Sequence, residues 1–224
     1  REGAEICGMA RVRLSAWDTR VLGTSCGIID HVILADGGHQ ESHGEIIESL
    51  VAPLKRMGAI FVTLKANSEL HQFIHASEEY GFRIMDTQLT LERETALDLP
   101  CERPEGIGFL DFYNEGFAGI EELGAIYSAT RFHADPRIGT ERADALWREI
   151  MVCSAKGFSD RVFLATEATG RPVSVVTVHL NSVGERIVAN LFAVGTLPSY
   201  RGRGINSCLV EQAAWYCRDK ADAL

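Results

Sequence analysis

The 224-residue chain lacks several features that mark particular classes of protein. No apolar run approaches the roughly 18 residues of a membrane span, and the chain has no basic, apolar leader of the secretory type. The six cysteines form no C-x-x-C pair, so zinc-type spacing is absent and a disulfide framework is not expected. We therefore expect reduced thiols, a cytoplasmic location and no membrane partner.

Positive charge is also scarce. The chain carries 22 Lys and Arg against 31 Asp and Glu, a formal net charge of −9. A nucleic-acid partner requires a basic face, and none is visible, so we expect no nucleic acid. A small anion held by a local cluster such as Arg201 and Arg203 remains compatible with this balance. His71 and His75 have metal-ligand spacing on a predicted helix, but no third ligand accompanies them, and no metal is predicted.

The distribution of prolines and apolar residues predicts two domains. Pro100 and Pro104 lie among charged residues, which predicts a linker at 99–106 between a domain at 1–98 and a domain at 107–224. In the first domain, periodicity predicts a β-rich segment at 5–34 with a turn at 15–18, then a helix from Ser42 or Glu45 to 57, a strand at 59–64, a helix at 68–80 and a strand at 84–91.

The second domain follows a β-α-α-β-β-β-loop-α order. Its pattern predicts a strand at 107–112, a helix at 115–128, an irregular loop at 131–137, a helix at 140–156 capped by Thr140, and strands at 162–166, 172–180 and 186–194. Both faces of the last strand are mostly apolar, which predicts a central strand covered on both sides.

A turn rich in glycine and arginine joins that last strand to the final helix without a spacer. The first N–H groups of a helix have no intrahelical partner, and the helix dipole places partial positive charge there. Gly202 and Gly204 have no Cβ, so a phosphate can approach the backbone closely. We interpret the turn as a pyrophosphate cradle; a tight turn with solvated arginines is the alternative.

The segment from Pro198 to Ile205 resembles motif A of the GNAT acyltransferases, Q/R-x-x-G-x-G/A, and the order of elements before it is also that of a GNAT domain. The resemblance implies an α+β fold with a mixed, mostly antiparallel sheet flanked by helices, and acetyl-CoA as the acyl donor. The residues it implies for coenzyme A binding are Phe192, Ala193 and Val194, whose backbone would pair with pantetheine, and Arg201, Gly202, Arg203, Gly204, Ile205, Asn206 and Ser207, around the diphosphate. Asn206 departs from the family pattern, which has Gly or Ala there.

The whole chain more closely resembles the dTDP-fucosamine acetyltransferases. The likeness rests on Trp17-Asp18 followed by Gly23, on Arg131-Phe132, and on the segment from Trp147 to Asp160. It implies that the acceptor is the amino group of a nucleotide-linked amino sugar. Within the first domain, Asn67, Leu70, Ile74 and Gly81-Phe82 resemble the second half of a GNAT domain, with Ile74 in the tyrosine position. This resemblance implies a smaller, degenerate and non-catalytic GNAT-like module.

The resemblance leaves the catalytic residues unassigned. The tyrosine that protonates the leaving thiolate in this family normally follows the fifth strand of the domain, which we expect beyond Leu224. Arg131 and His133 lie in the loop that covers the acceptor site in the family, and they are candidate substrate-binding residues. Asn190, on the last strand, lines the same pocket or is hydrogen-bonded in the core.

Three functions therefore remain open. The first is an N-acetyltransferase that acts on a small-molecule primary amine, with a nucleotide-linked amino sugar as the implied acceptor. The second is a non-catalytic module that binds coenzyme A or serves a structural role. The third is an acetyltransferase for a protein or a small polyamine. The oligomeric state is open as well, a homodimer included.

Overall fold

The computed structural model describes residues 8–35, 42–92 and 103–224. The chain divides into two compact units, Arg1–Gln88 and Leu89–Leu224. The linker predicted at 99–106 lies partly outside the described residues, so that linker and the boundaries beside it stay predictions. The two units are described separately.

The first unit is a three-stranded sheet packed against helices. Its elements are β1 (Gly8–Leu14), α1 (Ala16–Leu22), β2 (Cys26–Leu34), α2 (Ser42–Arg56), β3 (Phe61–Leu64) and α3 (His71–Glu79). The strand order is β1-β2-β3, with β1 antiparallel and β3 parallel to β2. Ile29 of β2, Ile47 and Leu54 of α2, and Phe73 of α3 form the centre of its core.

Two predictions for this unit are wrong. Residues 15–18 do not form a simple turn but begin α1. The Ser15 hydroxyl accepts a hydrogen bond from the Asp18 N–H and so caps the helix. Residues 84–91 form no strand, although their apolar residues alternate. Ile84 and Leu91 are 61% and 88% exposed, and an isolated segment with no described strand beside it gains nothing from an extended conformation.

The second unit is built on a four-stranded antiparallel sheet in the order β4-β5-β6-β7. Its strands are β4 (Ile107–Phe112), β5 (Arg161–Glu167), β6 (Pro172–Val183) and β7 (Arg186–Thr196). Between β4 and β5 lie a 3-10 helix (Ile120–Ile126), α4 (Arg131–Ala134), and α5 (Thr140–Cys153) with a π turn (Ser154–Phe158). After β7 come a 3-10 turn (Pro198–Tyr200) and α6 (Ile205–Cys217), whose apolar face packs on the sheet.

Three details of this unit differ from the predictions. The helix predicted at 115–128 is only the 3-10 helix, because it begins after Gly119, whose φ of 81° is left-handed. The loop predicted at 131–137 contains α4, a single turn of helix. Thr140 does not cap α5; Gly139 occupies that position without a side-chain hydrogen bond.

The cysteines also differ from the expectation of reduced thiols. Cys208 is disulfide-bonded, whereas Cys26, Cys153 and Cys217 are free. Burial raises the pKa of Cys26 and of Cys217 to about 11, so both remain protonated thiols at neutral pH. Among the described helices, none is long and apolar enough to cross a membrane.

Candidate functional site

The centre of the candidate site is an irregularity in β7. Val176 pairs with Val194 and Val178 with Leu191, so Phe192 and Ala193 together lie opposite Thr177. This is a β-bulge, and a side chain holds it: the Ala193 N–H donates to Thr177 Oγ1 at 3.0 Å in a buried position. A bulge bends its strand and changes which backbone groups face each edge.

The outer edge of β7 is paired near its start and open beyond it. The Ala189 N–H donates to the Ala223 carbonyl at 2.8 Å, beside a parallel bridge between Val188 and Ala223. Past that bridge, antiparallel alternation turns the Leu191 N–H outward before the bulge and the Val194 N–H outward after it. Among the described residues no strand pairs with this later stretch. The edge therefore presents backbone groups that an extended ligand can pair with.

The face of β7 beside this open edge is exposed. Asn190 and Phe192 lie on one face and are exposed, Phe192 by 41%, whereas Ala189 on the opposite face is buried. Val194 pairs with Val176, so it lies on the face of Ala189, where it is 36% exposed. The prediction of a strand covered on both faces is therefore wrong, and so is a core position for Asn190. An apolar strand face borders a cleft here. The sequence pattern of such a face is the same as that of a buried face, so periodicity could not distinguish the two.

The turn after β7 forms an open cradle at the start of α6. Gly202 and Gly204 have φ values of 75° and 74°, a conformation that residues with a Cβ rarely adopt. A Cβ built at either position would meet nothing within 4 Å, so the backbone there faces open space. The first intrahelical hydrogen bond of α6 runs from the Cys208 N–H to the Gly204 carbonyl. The N–H groups at 205–207 therefore have no intrahelical partner.

Two hydrogen bonds connect the residues of the cradle to the sheet. The Tyr200 hydroxyl donates to the Glu167 carboxylate at the end of β5, and this bond lowers the pKa of Glu167. Arg201 Nε donates to the Thr196 carbonyl at 3.1 Å, and the Arg203 guanidinium lies 5.6 Å from the Tyr200 ring centre. Both arginines remain exposed, so their charge is available at the cradle.

A buried polar network supports the first turn of α6. Ser174 Oγ donates to the Gly195 carbonyl at 2.8 Å, lies 2.8 Å from Thr196 Oγ1, and accepts from Asn206 Nδ2 at 3.4 Å. Asn206, which departs from the family pattern, thus uses its side chain inside the protein and leaves its backbone N–H for a ligand.

The two candidate substrate residues of α4 have protein contacts of their own. His133 is largely buried, with Nδ1 2.9 Å from Thr130 Oγ1 and Nε2 3.1 Å from Asp144 Oδ1. The Arg131 guanidinium stacks 4.7 Å from the centre of the Phe132 ring. These contacts explain His133 as part of a helix cap, and contact with substrate stays a prediction for both residues.

An aromatic cluster next to the bulge was not predicted. The His179 ring on β6 lies 5.0 Å from Phe158 and 5.1 Å from Phe192, and Ser159 Oγ is 3.1 Å from His179 Nε2. Burial lowers the pKa of His179, with the Asp160 carboxylate acting in the opposite sense. The signal in the sequence was weak: one histidine at the end of an apolar strand.

Comparison with protein families identifies the second unit. Residues 120–223, from the 3-10 helix to the bridge with β7, match the model of the acetyltransferase (GNAT) family. The second unit is a GNAT acetyltransferase domain. The GNAT match includes β7, the bulge and the cradle, and it makes this domain an acyltransferase of a family that uses acetyl-CoA as donor.

Solved structures show the same fold over the whole chain. A tandem GNAT protein from the clavulanic acid biosynthesis pathway has a TM-score of 0.55 at 12% identity, over 100% of this chain and 70% of that one. A GCN5-related N-acetyltransferase from Sphaerobacter thermophilus has a TM-score of 0.54 at 17% identity, over 96% of this chain and 65% of that one.

A second GCN5-related N-acetyltransferase, from Kribbella flavida, has a TM-score of 0.50 at 18% identity, over 89% of this chain and 69% of that one. At these identities the likeness shows the fold: a GNAT domain preceded by a smaller GNAT-like domain. Comparison with curated protein sequences gave no match.

Proposed function

We propose that the chain transfers an acetyl group from acetyl-CoA, bound along β7 and at the cradle, to a primary amine of a small molecule. The observation that carries the proposal is the direct passage from an open strand edge into an open helix N-terminus. These are the two features that an extended amide chain ending in a diphosphate requires.

The residues present fit coenzyme A in both parts. Pantetheine contains amide groups that can pair with the outward N–H and C=O groups of Leu191 and Val194, as an added strand would. The diphosphate is anionic, and the free N–H groups at 205–207, the helix dipole and the exposed Arg201 and Arg203 all favour an anion. The positive φ of Gly202 and Gly204 keeps side-chain atoms out of that space.

The reaction needs positioning more than activation, because a thioester is already a reactive acyl donor. An uncharged amine must reach the carbonyl carbon, an N–H donor must stabilise the negative charge on the carbonyl oxygen, and a base must remove the amine proton. Outward N–H groups at the bulge are placed on the edge where the acyl end of the donor would lie. The exposed face of Asn190 and Phe192 supplies an entry for the amine.

For the acceptor we propose the amino group of a nucleotide-linked amino sugar. The support is the likeness of Trp17-Asp18, Arg131-Phe132 and the segment from Trp147 to Asp160 to the dTDP-fucosamine acetyltransferases. In this proposal Arg131, His133 and Asn190 contact the acceptor.

The test is release of free thiol from acetyl-CoA in the presence of single amines. The panel contains a dTDP-linked amino sugar, glucosamine, spermidine and a peptide with a free N-terminus, and mass spectrometry identifies the acetylated product. Fastest turnover of the nucleotide sugar supports the acceptor proposal. Turnover of spermidine or the peptide alone replaces that acceptor and leaves the donor proposal intact. Binding of acetyl-CoA without turnover of any amine favours a non-catalytic module.

A further inference from the structure

We propose that His179 is the general base of the transfer, accepting the amine proton at Nδ1, and that Ser159 positions its ring. This inference rests on the proposed N-acetyltransferase function. It assigns a catalytic residue that the family resemblance left unassigned.

The position of His179 is the first argument. His179 pairs with Asn190 across the β6–β7 ladder, so the two side chains share one face of the sheet. That face is the exposed one, and the next residue on it in β7 is Phe192 at the bulge. The histidine therefore borders the place where the acyl end of the donor and the incoming amine would meet.

The ring of His179 is held in one orientation. The edges and faces of Phe158 and Phe192 meet it at interplanar angles of 72° and 77°. Ser159, 1% exposed, places its Oγ 3.1 Å from Nε2. Nδ1 has no hydrogen-bond partner among the described residues. It is also not among the polar side-chain atoms there that are both shielded from solvent and unpaired. When Nε2–H donates to Ser159, the lone pair is on Nδ1, which faces outward.

The charge state suits a base. Burial lowers the pKa of His179, so the neutral ring predominates at neutral pH, and the Asp160 carboxylate limits this effect. That carboxylate is held by the Leu180 N–H at 2.7 Å. The other charged residues on the neighbouring elements are Lys156 in the π turn, Arg161 and Glu167 of β5, and Arg186 of β7. Arg161 is paired with Asp111, Glu167 accepts from Tyr200, and Arg186 is paired with Glu92.

The step balances as follows. An alkylammonium acceptor loses one proton to Nδ1 of His179, and the amine nitrogen then forms a bond to the thioester carbon. The carbon–sulfur bond breaks, its electron pair leaves with sulfur, and the second proton of the attacking nitrogen passes to the thiolate, which leaves a neutral amide and a thiol. His179 returns its proton to solvent, so one proton is released for each amide and thiol formed.

The cluster is not explained by core packing alone. Phe158 is 54% exposed and Phe192 41% exposed, so the rings around His179 line a surface and do not fill an interior. An aromatic wall that shields one side of a histidine and leaves one nitrogen open is suited to proton transfer near an amine.

The kinetic test compares His179→Gln with His75→Gln, a matched change on an exposed face of α3 in the other unit. With the best amine of the panel, we expect kcat to fall by about 100- to 10,000-fold in His179→Gln, with the Kd of acetyl-CoA within twofold of the unchanged protein. The control should retain its kcat. Ser159→Ala should lower kcat less than His179→Gln does, and it should lower the apparent pKa of the acid limb of the kcat–pH profile, because the protonated ring loses the acceptor of its Nε2–H.

A spectroscopic test is independent of the acceptor. Long-range proton–nitrogen NMR of the imidazole should show a neutral ring at pH 7 with the proton on Nε2, and Ser159→Ala should mix the two tautomers. A charged ring at pH 7, or the proton on Nδ1, would overturn the inference, as would an unchanged kcat in His179→Gln. If no amine in the panel is acetylated by the unchanged protein, the proposed function itself fails.

Discussion

Replacing Gly202 with leucine should separate donor binding from folding. The cradle is open at this position, and φ is 75°, so the new side chain would both strain the backbone and occupy the space that we assign to the diphosphate. Gly184→Leu is the matched control: its φ is 63°, its Cβ also meets nothing within 4 Å, and it lies in the turn before β7. The 11 residues of β7 put roughly 35 Å of strand between the two sites.

The expected magnitudes follow from these geometries. Left-handed backbone costs a residue with a Cβ about 1–2 kcal/mol, so both variants should lose roughly 2–8 °C in Tm. Loss of one hydrogen bond to a charged diphosphate costs about 1.5–3 kcal/mol. That corresponds to an increase of about 10- to 150-fold in the Kd of acetyl-CoA for Gly202→Leu alone.

Isothermal titration of acetyl-CoA into the three proteins measures the Kd, and differential scanning calorimetry measures Tm. Equal affinity in Gly202→Leu and the unchanged protein would refute the placement of the diphosphate at the cradle. Equal weakening in both variants would mean that strain, and not contact, controls binding.

Three further changes test the framework around the site. Thr177→Val removes the acceptor of the buried Ala193 N–H and should lower the free energy of unfolding by about 1–3 kcal/mol, measured by urea titration. Thr177→Ser keeps the hydroxyl and should retain most of that stability. An unchanged urea midpoint in Thr177→Val would contradict the role of Thr177 in holding the bulge. Ser174→Ala leaves three polar groups short of a partner and should likewise cost about 1–3 kcal/mol, measured by urea unfolding; a loss below a few tenths would count against the network. Arg11 holds the pKa of Asp30 below its ordinary value, so Asp30 stabilises the protein above its unfolded pKa, and this contribution is lost as pH falls through the folded value. The stability difference between the unchanged protein and Asp30→Asn should therefore be present at pH 7 and shrink toward zero below about pH 4; a pH-independent difference would contradict this linkage.

Long periodic segments were predictable because the spacing of their apolar residues and the turn-forming residues at their ends indicated the same helix or strand. α2, α3, β4, β5, β6 and β7 follow the predictions to within a few residues at each end. The cradle was predictable for the same reason, since a strand, two glycines and a helix start follow one another directly in the sequence.

The details that decide the chemistry depend on contacts between distant residues. The bulge at Phe192 exists because Thr177 accepts the Ala193 N–H, and no pattern within either strand indicates this. The apolar face of β7 fits burial and a cleft equally well, so its exposure could not be predicted. His179 gains its significance only from Phe158 and Ser159, some 20 residues away in the sequence.

Individual contacts also decided secondary structure where the sequence pattern predicted something else. Ser15 turned a predicted turn into the start of a helix, while the alternating residues at 84–91 had no described partner strand and stayed irregular. In each case a single contact, or its lack among the described residues, outweighed the pattern.

A crystal structure of the protein with coenzyme A would test the central claim most directly. We predict that the diphosphate oxygens accept hydrogen bonds from backbone N–H groups within residues 202–207, and that pantetheine pairs with the outer edge of β7 at Leu191 and Val194. A coenzyme A molecule bound elsewhere, or none bound at millimolar concentration, would contradict the account.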